Sequence, residues 1–129
     1  MSMKAGKYWV GDLCYVLHDR WDEFCDKTVV DNNCLDGGLL LSDGTRVAQY
    51  HTAHGDGCYC DQFGNDYPVD AGLIGCIRIE DIRDNDPGRW DAGGHVHEFP
   101  KEFYTDADDG IIHIGHLVID TNWEDNNDD

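Results

Sequence analysis

Clusters of glycine and aspartate recur along the chain and divide it into short apolar runs. Such clusters lie at residues 11–12, 42–45, 55–57 and 63–66, and the apolar runs between them are only three to seven residues long. The Asp-Gly pair at residues 43–44 is a strong signal for a β-hairpin. Seven to nine short strands at this spacing predict a β-rich α+β fold, either a rolled antiparallel sheet or a small barrel.

One segment is predicted to be helical. Asp19 is a favourable N-cap for a short helix near residues 19–27. Trp21, Phe24 and Cys25 follow at the spacing i, i+3, i+4, which gives this helix one apolar face. The apolar patterns of the whole chain predict a core that includes Trp9, Leu13, Tyr15, Phe24, Leu40, Val69, Ile74, Cys76, Ile112, Ile114 and Val118.

The acidity of the chain is carried mainly by aspartate. The 27 acidic residues exceed the 9 basic ones, so the net charge is −18, and 22 of the acids are aspartates. Aspartate favours turns and caps over helix interiors, which places most of the acids in predicted loops. Removing the four acids of the terminal segment still leaves −14. We therefore predict a single acidic β-rich domain over residues 1–123 and a frayed acidic tail over residues 124–129.

Composition excludes several classes of protein. At 40% hydrophobic residues the chain is too apolar to be disordered. A pI near 4.3 argues against direct binding of nucleic acid, because phosphate binding needs clustered lysine and arginine. No apolar run approaches the roughly 18 residues of a membrane span, and no signal peptide is evident, so we expect a cytoplasmic protein without a membrane partner. In that reducing compartment the six cysteines are expected as thiols, with Cys14 and Cys76 in the core.

Three stretches carry a family resemblance. They are YWVGDLCYV at residues 8–16, HGDGCY at residues 54–59 and VDAGLIG at residues 69–75. In these stretches the chain resembles a small family of uncharacterised bacterial and phage proteins. The resemblance covers about the first two-thirds of the chain and implies an origin in a mobile element, but it supplies no mechanism.

A cluster of histidine and cysteine suggests a zinc site. It places His51, His54, Cys58 and Cys60 within ten residues, and zinc prefers four nitrogen or sulfur ligands at tetrahedral corners. On a strand, the two cysteines would share one face, with Cα atoms about 6.6 Å apart. The spacing differs from the C-x2-C pairs of zinc fingers, and the alternative is solvated histidines beside half-buried thiols. We favour no cofactor and keep zinc as an alternative.

Two aspartate-rich segments suggest a calcium site, because calcium binds oxygen ligands. Residues 84–86 and 106–110 both resemble the start of an EF-hand loop. Counting twelve residues from the first aspartate of each segment ends on His95 and on Leu117, where an EF-hand requires glutamate. Ordinary turn chemistry is therefore the preferred interpretation, with calcium as an alternative.

A small enzyme centred on residues 51–60 is the alternative function, either metal-dependent or based on carboxylates and histidine. His54 would act as a base oriented by Asp56 or Asp70. Alternatively, Asp56 and Asp70 would form an acid–base pair, because crowded carboxylates can split their pKa values. Cys14 is a poor nucleophile, since apolar surroundings disfavour its thiolate. Among 27 acids such a pair arises by chance, so an enzyme is not the favoured hypothesis.

The favoured hypothesis is an acidic, non-enzymatic binding protein. A folded region at −14 to −18 repels nucleic acid and anionic lipid but is steered to a basic surface, with association that weakens as salt rises. A nucleic-acid-binding protein offers such a surface, and a phage-type inhibitor that mimics nucleic-acid charge would occupy it. Solubility or adaptation to salt is the competing explanation of the charge. Because neighbouring glycines and prolines predict exposed turns, the expected contact residues are the loop acids Asp84, Asp86, Asp91, Asp106, Asp108 and Asp109.

Overall fold

The computed structural model describes residues 2–17, 20–30, 33–34, 36–82 and 93–122. The predicted N-cap Asp19, the predicted contact residues Asp84, Asp86 and Asp91, and the tail at 124–129 lie outside these ranges. The strands in chain order are β1 (Ser2–Met3), β2 (Gly6–Gly11), β3 (Val29–Val30), β4 (Asn33–Cys34), β5 (Gly37–Leu40), β6 (Arg46–His51), β7 (Gly57–Cys60), β8 (Asp66–Val69), β9 (Leu73–Arg78), β10 (Gly94–Phe99), β11 (Phe103–Asp108), β12 (Ile111–Ile114) and β13 (Leu117–Asp120).

The helical segments are short. The α-helix α1 spans Trp21–Thr28, close to the prediction, and 3-10 helices span Leu13–Tyr15 and Ile79–Asp81. The apolar segment at residues 13–17 therefore contains a 3-10 helix and is not one of the strands. Asp12 caps the first 3-10 helix by accepting a hydrogen bond from the Cys14 amide at 3.0 Å, which turns the chain away from β2.

The strands form two larger sheets and two hairpins. The five-stranded sheet has the order β10-β2-β9-β6-β5, and the four-stranded sheet has the order β1-β11-β12-β13. β3 pairs with β4, and β7 pairs with β8. Every pairing is antiparallel. The predicted β-rich α+β class is confirmed, and the described strands do not close into a barrel.

Both faces of the central strands β2, β9 and β6 are buried, which explains why these strands are almost continuously apolar. Val10 and Cys76 face the four-stranded sheet and pack in one cluster with Ile112. Trp9 and Ile77 point the opposite way and pack in a second cluster with apolar residues of α1. Successive residues of a strand point to opposite faces, so β2 and β9 contribute to both clusters. Among the described residues no helix is long and apolar enough to cross a membrane.

Most of the predicted core is buried, but four positions differ. Leu40 is 61% exposed, and its neighbour Leu41 is 2% exposed and fills the core instead. Val118 is half-buried between two fully buried neighbours, and Tyr15 and Cys14 are only partly buried. A shift of one residue moves a strand's side chains to the other face, so the errors at Leu40 and Val118 are errors of phase, whereas Cys14 and Tyr15 lie in the first 3-10 helix. The other predicted core residues are buried: Trp9, Leu13, Phe24, Val69, Ile74, Cys76, Ile112 and Ile114.

Candidate functional site

The residues of the predicted enzyme have separate partners. His54 is exposed, and its Nε2 lies 3.2 Å from the Asn122 carbonyl oxygen. Asp70 accepts a hydrogen bond from the Tyr15 hydroxyl at 2.8 Å, and Asp56 is exposed in the loop before β7. None of these contacts joins the three side chains to one another. The geometry gives the acid–base alternative no assembled site.

The segment around Asp70 is held in place by Asp12. The fully buried carboxylate of Asp12 accepts hydrogen bonds from the backbone amides of Asp70 at 2.9 Å and Ala71 at 2.6 Å. Burial and the neighbouring Asp12 raise the pKa of the Cys14 thiol well above its usual range. Cys14 is therefore held as a neutral thiol, in agreement with its predicted lack of reactivity.

The four residues of the zinc hypothesis also point to different contacts. The Nδ1 of His51 lies 2.6 Å from an Asp36 carboxylate oxygen, whereas His54 contacts the chain near residue 122. Cys58 and Cys60 are half-buried on one face of β7, as strand alternation requires. In the part of the chain that the structure describes, no three histidine, cysteine or acidic side chains are grouped as metal ligands. Zinc binding and calcium binding therefore stay hypotheses, which metal analysis of the protein would test.

The second calcium candidate consists of a strand and a turn. Asp106 and Asp108 lie in β11, not on the exposed turn that the nearby glycine predicted. Both alternate with more buried residues and point to solvent. Asp109 begins the turn to β12 with a φ of 53°, a left-handed conformation that aspartate tolerates better than most residues. The contact acids in this segment are exposed, but two of the three are presented by a sheet.

These acids belong to one outer surface of the four-stranded sheet, which we call the acidic sheet face. It consists of Tyr104, Asp106, Asp108, His113 and Asp120. Strand register places Asp106 opposite His113, while Ile111 lies between Asp108 and Asp120 in the next row. Residues two apart on a strand are separated by about 6.8 Å, and neighbouring strands by about 4.8 Å. The sheet therefore holds the carboxylates at fixed, closely spaced positions.

The acidic sheet face has two properties of a recognition surface. Tyr104 is 68% exposed, and a cavity of about 360 Å³ lies beside it, lined also by Asp106, Asp108, His113 and Gly115. Among the described residues no carboxylate of this face takes part in an ion pair, since the ion pairs in that part of the chain lie elsewhere in the molecule. Its negative charge is not neutralised within that part of the chain.

A second polar group lies where the β7–β8 hairpin meets β10, and we call it the Asp61 network. The carboxylate of Asp61 is 5% exposed and accepts a hydrogen bond from the Tyr67 hydroxyl at 2.7 Å. It also accepts from the amides of Phe63 at 2.8 Å and Asn65 at 3.1 Å, and from the Asn65 side chain at 3.0 Å. The Tyr67 oxygen lies 2.9 Å from Nε2 of His97.

The protonation states in the Asp61 network follow from these contacts. Burial acts to raise the pKa of Asp61, but hydrogen bonds from Asn65, Tyr67 and Phe63 outweigh it and hold that pKa below its usual value. Burial lowers the pKa of His97, and Asp61 only partly opposes this effect. Since Tyr67 gives its one proton to Asp61, the neutral imidazole of His97 donates from Nε2.

The Asp61 network is built to hold a fold together more than to react. Burial and the bond to Asp61 raise the pKa of Tyr67 far above its usual range, so the phenol stays protonated. The carboxylate already has its acceptor sites occupied by four donors. Sequence reasoning missed this group, although the i, i+2 spacing of His95 and His97 shows that both lie on one face of β10.

Comparison of the chain with family models, curated proteins and solved structures gave no match.

Proposed function

We propose that this protein is a non-enzymatic binding protein that uses its acidic sheet face to bind a basic protein surface. The observation that carries the proposal is the exposed Tyr104 beside the carboxylates of Asp106 and Asp108, which form no ion pair with any residue that the structure describes. The partner that this chemistry fits best is a nucleic-acid-binding protein, whose basic groove would accept carboxylates where phosphates bind. In that case the protein acts as an inhibitor that mimics nucleic-acid charge.

Physical chemistry assigns separate roles to the charge and to the tyrosine. A net charge of −18 attracts a basic partner over long range and accelerates association, an effect that salt screens. The aromatic ring supplies apolar contact at short range, and tyrosine is enriched among the residues that dominate binding energy. The strands fix the backbone that carries these side chains, so no loop has to be ordered when a partner binds.

The experiment compares two variants that lose the same number of negative charges. The test variant combines Asp106→Asn and Asp108→Asn on the acidic sheet face with Asp109→Asn at the adjoining turn. The control variant is Asp26→Asn, Asp56→Asn and Glu98→Gln combined, at positions that are also exposed but lie on other surfaces. A basic partner is isolated from the heparin-binding fraction of a bacterial lysate and identified, and its association rate is measured between roughly 50 and 500 mM salt.

The proposal expects association of the wild type to slow steeply as salt rises. The test variant should associate more slowly with a flatter salt dependence, whereas the control variant should retain most of the wild-type behaviour. Duplex DNA should compete for the partner. Association that ignores salt, or equal effects of the two triple variants, would contradict a role for the acidic sheet face. Tyr104→Ala tests the short-range contact and should mainly raise the dissociation rate.

A further inference from the structure

A small cavity on another part of the surface has the opposite charge from the rest of the molecule. The cavity measures about 220 Å³, and we call it the cationic cavity. Among the described residues, three of the chain's nine lysines and arginines line it, together with one acid. Its lining residues are Lys4, Tyr8, Leu40, Gly44, Arg46, Arg78 and Asp81.

The register of the five-stranded sheet builds this concentration of charge. Val47 of β6 pairs with Ile77 of β9, so Arg46 and Arg78 face each other at the next position of the two strands. Like charges directly opposite each other destabilise a sheet. Arg78 is also the partner of Tyr8 on β2, which places the tyrosine beside the two arginines. An anion held between the guanidinium groups would convert this repulsion into attraction.

The hydrogen bonds of the two arginines leave donors for a ligand. Nη2 of Arg78 contacts Glu80 at 3.2 Å, but its buried Nε has no acceptor among the described residues. Arg46 donates from Nη2 to the Ser2 carbonyl oxygen at 2.9 Å. A guanidinium group has five N–H donors, so each arginine can bind further acceptors. A buried donor without a partner costs free energy, and a bound acceptor would remove that cost.

Tyr8 lies on the wall of the same cavity. This residue is 1% exposed, and its hydroxyl donates to the Lys4 carbonyl oxygen at 2.8 Å. Burial raises the pKa of Tyr8, while the charges of Arg78 and Arg46 act to lower it. Both guanidinium charges therefore act at one point on the cavity wall.

We propose that the cationic cavity binds a single phosphate group, held by Arg46 and Arg78 with Lys4 at the rim. Arginine binds phosphate through two parallel hydrogen bonds, a geometry that lysine lacks. The volume is below the usual range for drug-sized ligands, which favours one phosphate group over a longer polyanion. Leu40, 61% exposed at the edge, offers an apolar contact for a small organic substituent on that phosphate.

Calorimetric titration of the full-length protein with inorganic phosphate tests the site. Potassium chloride at matched ionic strength is the reference, because any salt screens the charge of so acidic a protein. We expect saturable phosphate binding that weakens at least tenfold in Arg46→Gln and in Arg78→Gln. Lys7→Gln removes one positive charge from β2 outside the cavity, and its affinity should stay within twofold of the wild type. Arg78→Lys keeps the charge but should still lose affinity.

Two results would overturn the proposal. One is a phosphate response equal to that of chloride, and the other is unchanged phosphate affinity in both arginine variants. If Arg78→Gln fails to fold in a thermal melt, Arg46→Gln decides the question alone, because that side chain is exposed. A parallel titration with glycerol phosphate separates free phosphate from a phosphomonoester, since the tighter ligand identifies the source of the group.

Discussion

Replacing Asp61 should reveal how much of the fold depends on one buried carboxylate. Asp61→Ala removes the acceptor for four hydrogen bonds, two from backbone amides and two from side chains. Asp61→Asn keeps the shape and one carbonyl oxygen but turns an NH2 group toward two of the donors. Asp56→Ala, in an exposed loop, is the matched control.

The magnitude follows from the burial of each donor. A hydrogen bond to a charged group contributes about 1.5–3 kcal/mol, so four would approach the whole stability of a small domain. Phe63 is 65% exposed and Asn65 is half-buried, so their donors can bind water in the variant. Tyr67 is fully buried and keeps only His97 as a partner. We therefore expect a loss of about 3–5 kcal/mol for Asp61→Ala and about 1–2 kcal/mol for Asp61→Asn.

Urea unfolding followed by tryptophan fluorescence measures these losses. The asparagine variant should also melt about 4–8 °C lower, at about 4 °C per kcal/mol for a chain of this size. The pKa of Asp61 is lowered by folding, so its contribution is present above about pH 4 and is lost as pH falls through the folded pKa. The difference in free energy of unfolding between the wild type and each Asp61 variant should therefore shrink as pH falls below about 4. A loss for Asp61→Ala no greater than the few tenths of a kcal/mol expected for Asp56→Ala would refute the reasoning.

Four further predictions concern burial, thiols, pH and metals. Leu41→Ala should lower the free energy of unfolding by about 2–4 kcal/mol, whereas Leu40→Ala should lower it by less than about 1 kcal/mol. Equal losses in urea unfolding would contradict the buried position of Leu41 and the exposed position of Leu40. Thiol titration of the unfolded, unreduced protein should find close to six groups, and finding none would show disulfides. In the native protein Cys76 should react more slowly than Cys25, Cys58 and Cys60, because it is fully buried and burial raises its pKa to about 12. Burial lowers the pKa of His97, so the free energy of unfolding should fall as pH drops below about 6.5. This fall should be smaller in His97→Gln. Identical pH profiles of the wild type and His97→Gln would show that His97 does not cause it. Elemental analysis of the protein after a chelator wash should find no zinc or calcium, and thermal melts before and after the wash should agree. Binding of one metal ion per chain that reverses a fall in melting temperature caused by the wash would support the metal alternatives.

Local signals predicted the elements of this fold well. The Asp-Gly pair at 43–44 does connect β5 to β6, and the helix begins and ends within two residues of its predicted bounds. Both depend on neighbouring residues, because turns and caps form within a few positions of the chain. The errors arose where apolar residues are consecutive, as at 39–41 and 117–119. There no alternation indicates which residue faces inward.

The candidate sites depend on strand register, which the sequence does not state. Asp61 and Tyr67 are six residues apart, but His97 lies thirty residues further and meets them only because β10 passes beside β8. Arg46 and Arg78 come together through the pairing of β6 with β9. The acidic sheet face was within reach, since Asp106 and Asp108 alternate with more buried residues as a half-buried strand requires. Weight given to the nearby glycine placed them on a turn instead.

The end strands of the five-stranded sheet bear on how copies of this protein behave at high concentration. β5 carries Leu40, 61% exposed, and β10 carries Val96, 41% exposed. End strands with apolar side chains can pair with strands of another molecule, and like charge is one means by which proteins prevent this. Near neutral pH the charge of −18 keeps copies apart, but acidification toward the pI of about 4.3 removes that repulsion. We therefore expect the protein to be least soluble near pH 4, where charge no longer opposes edge-to-edge contact between copies.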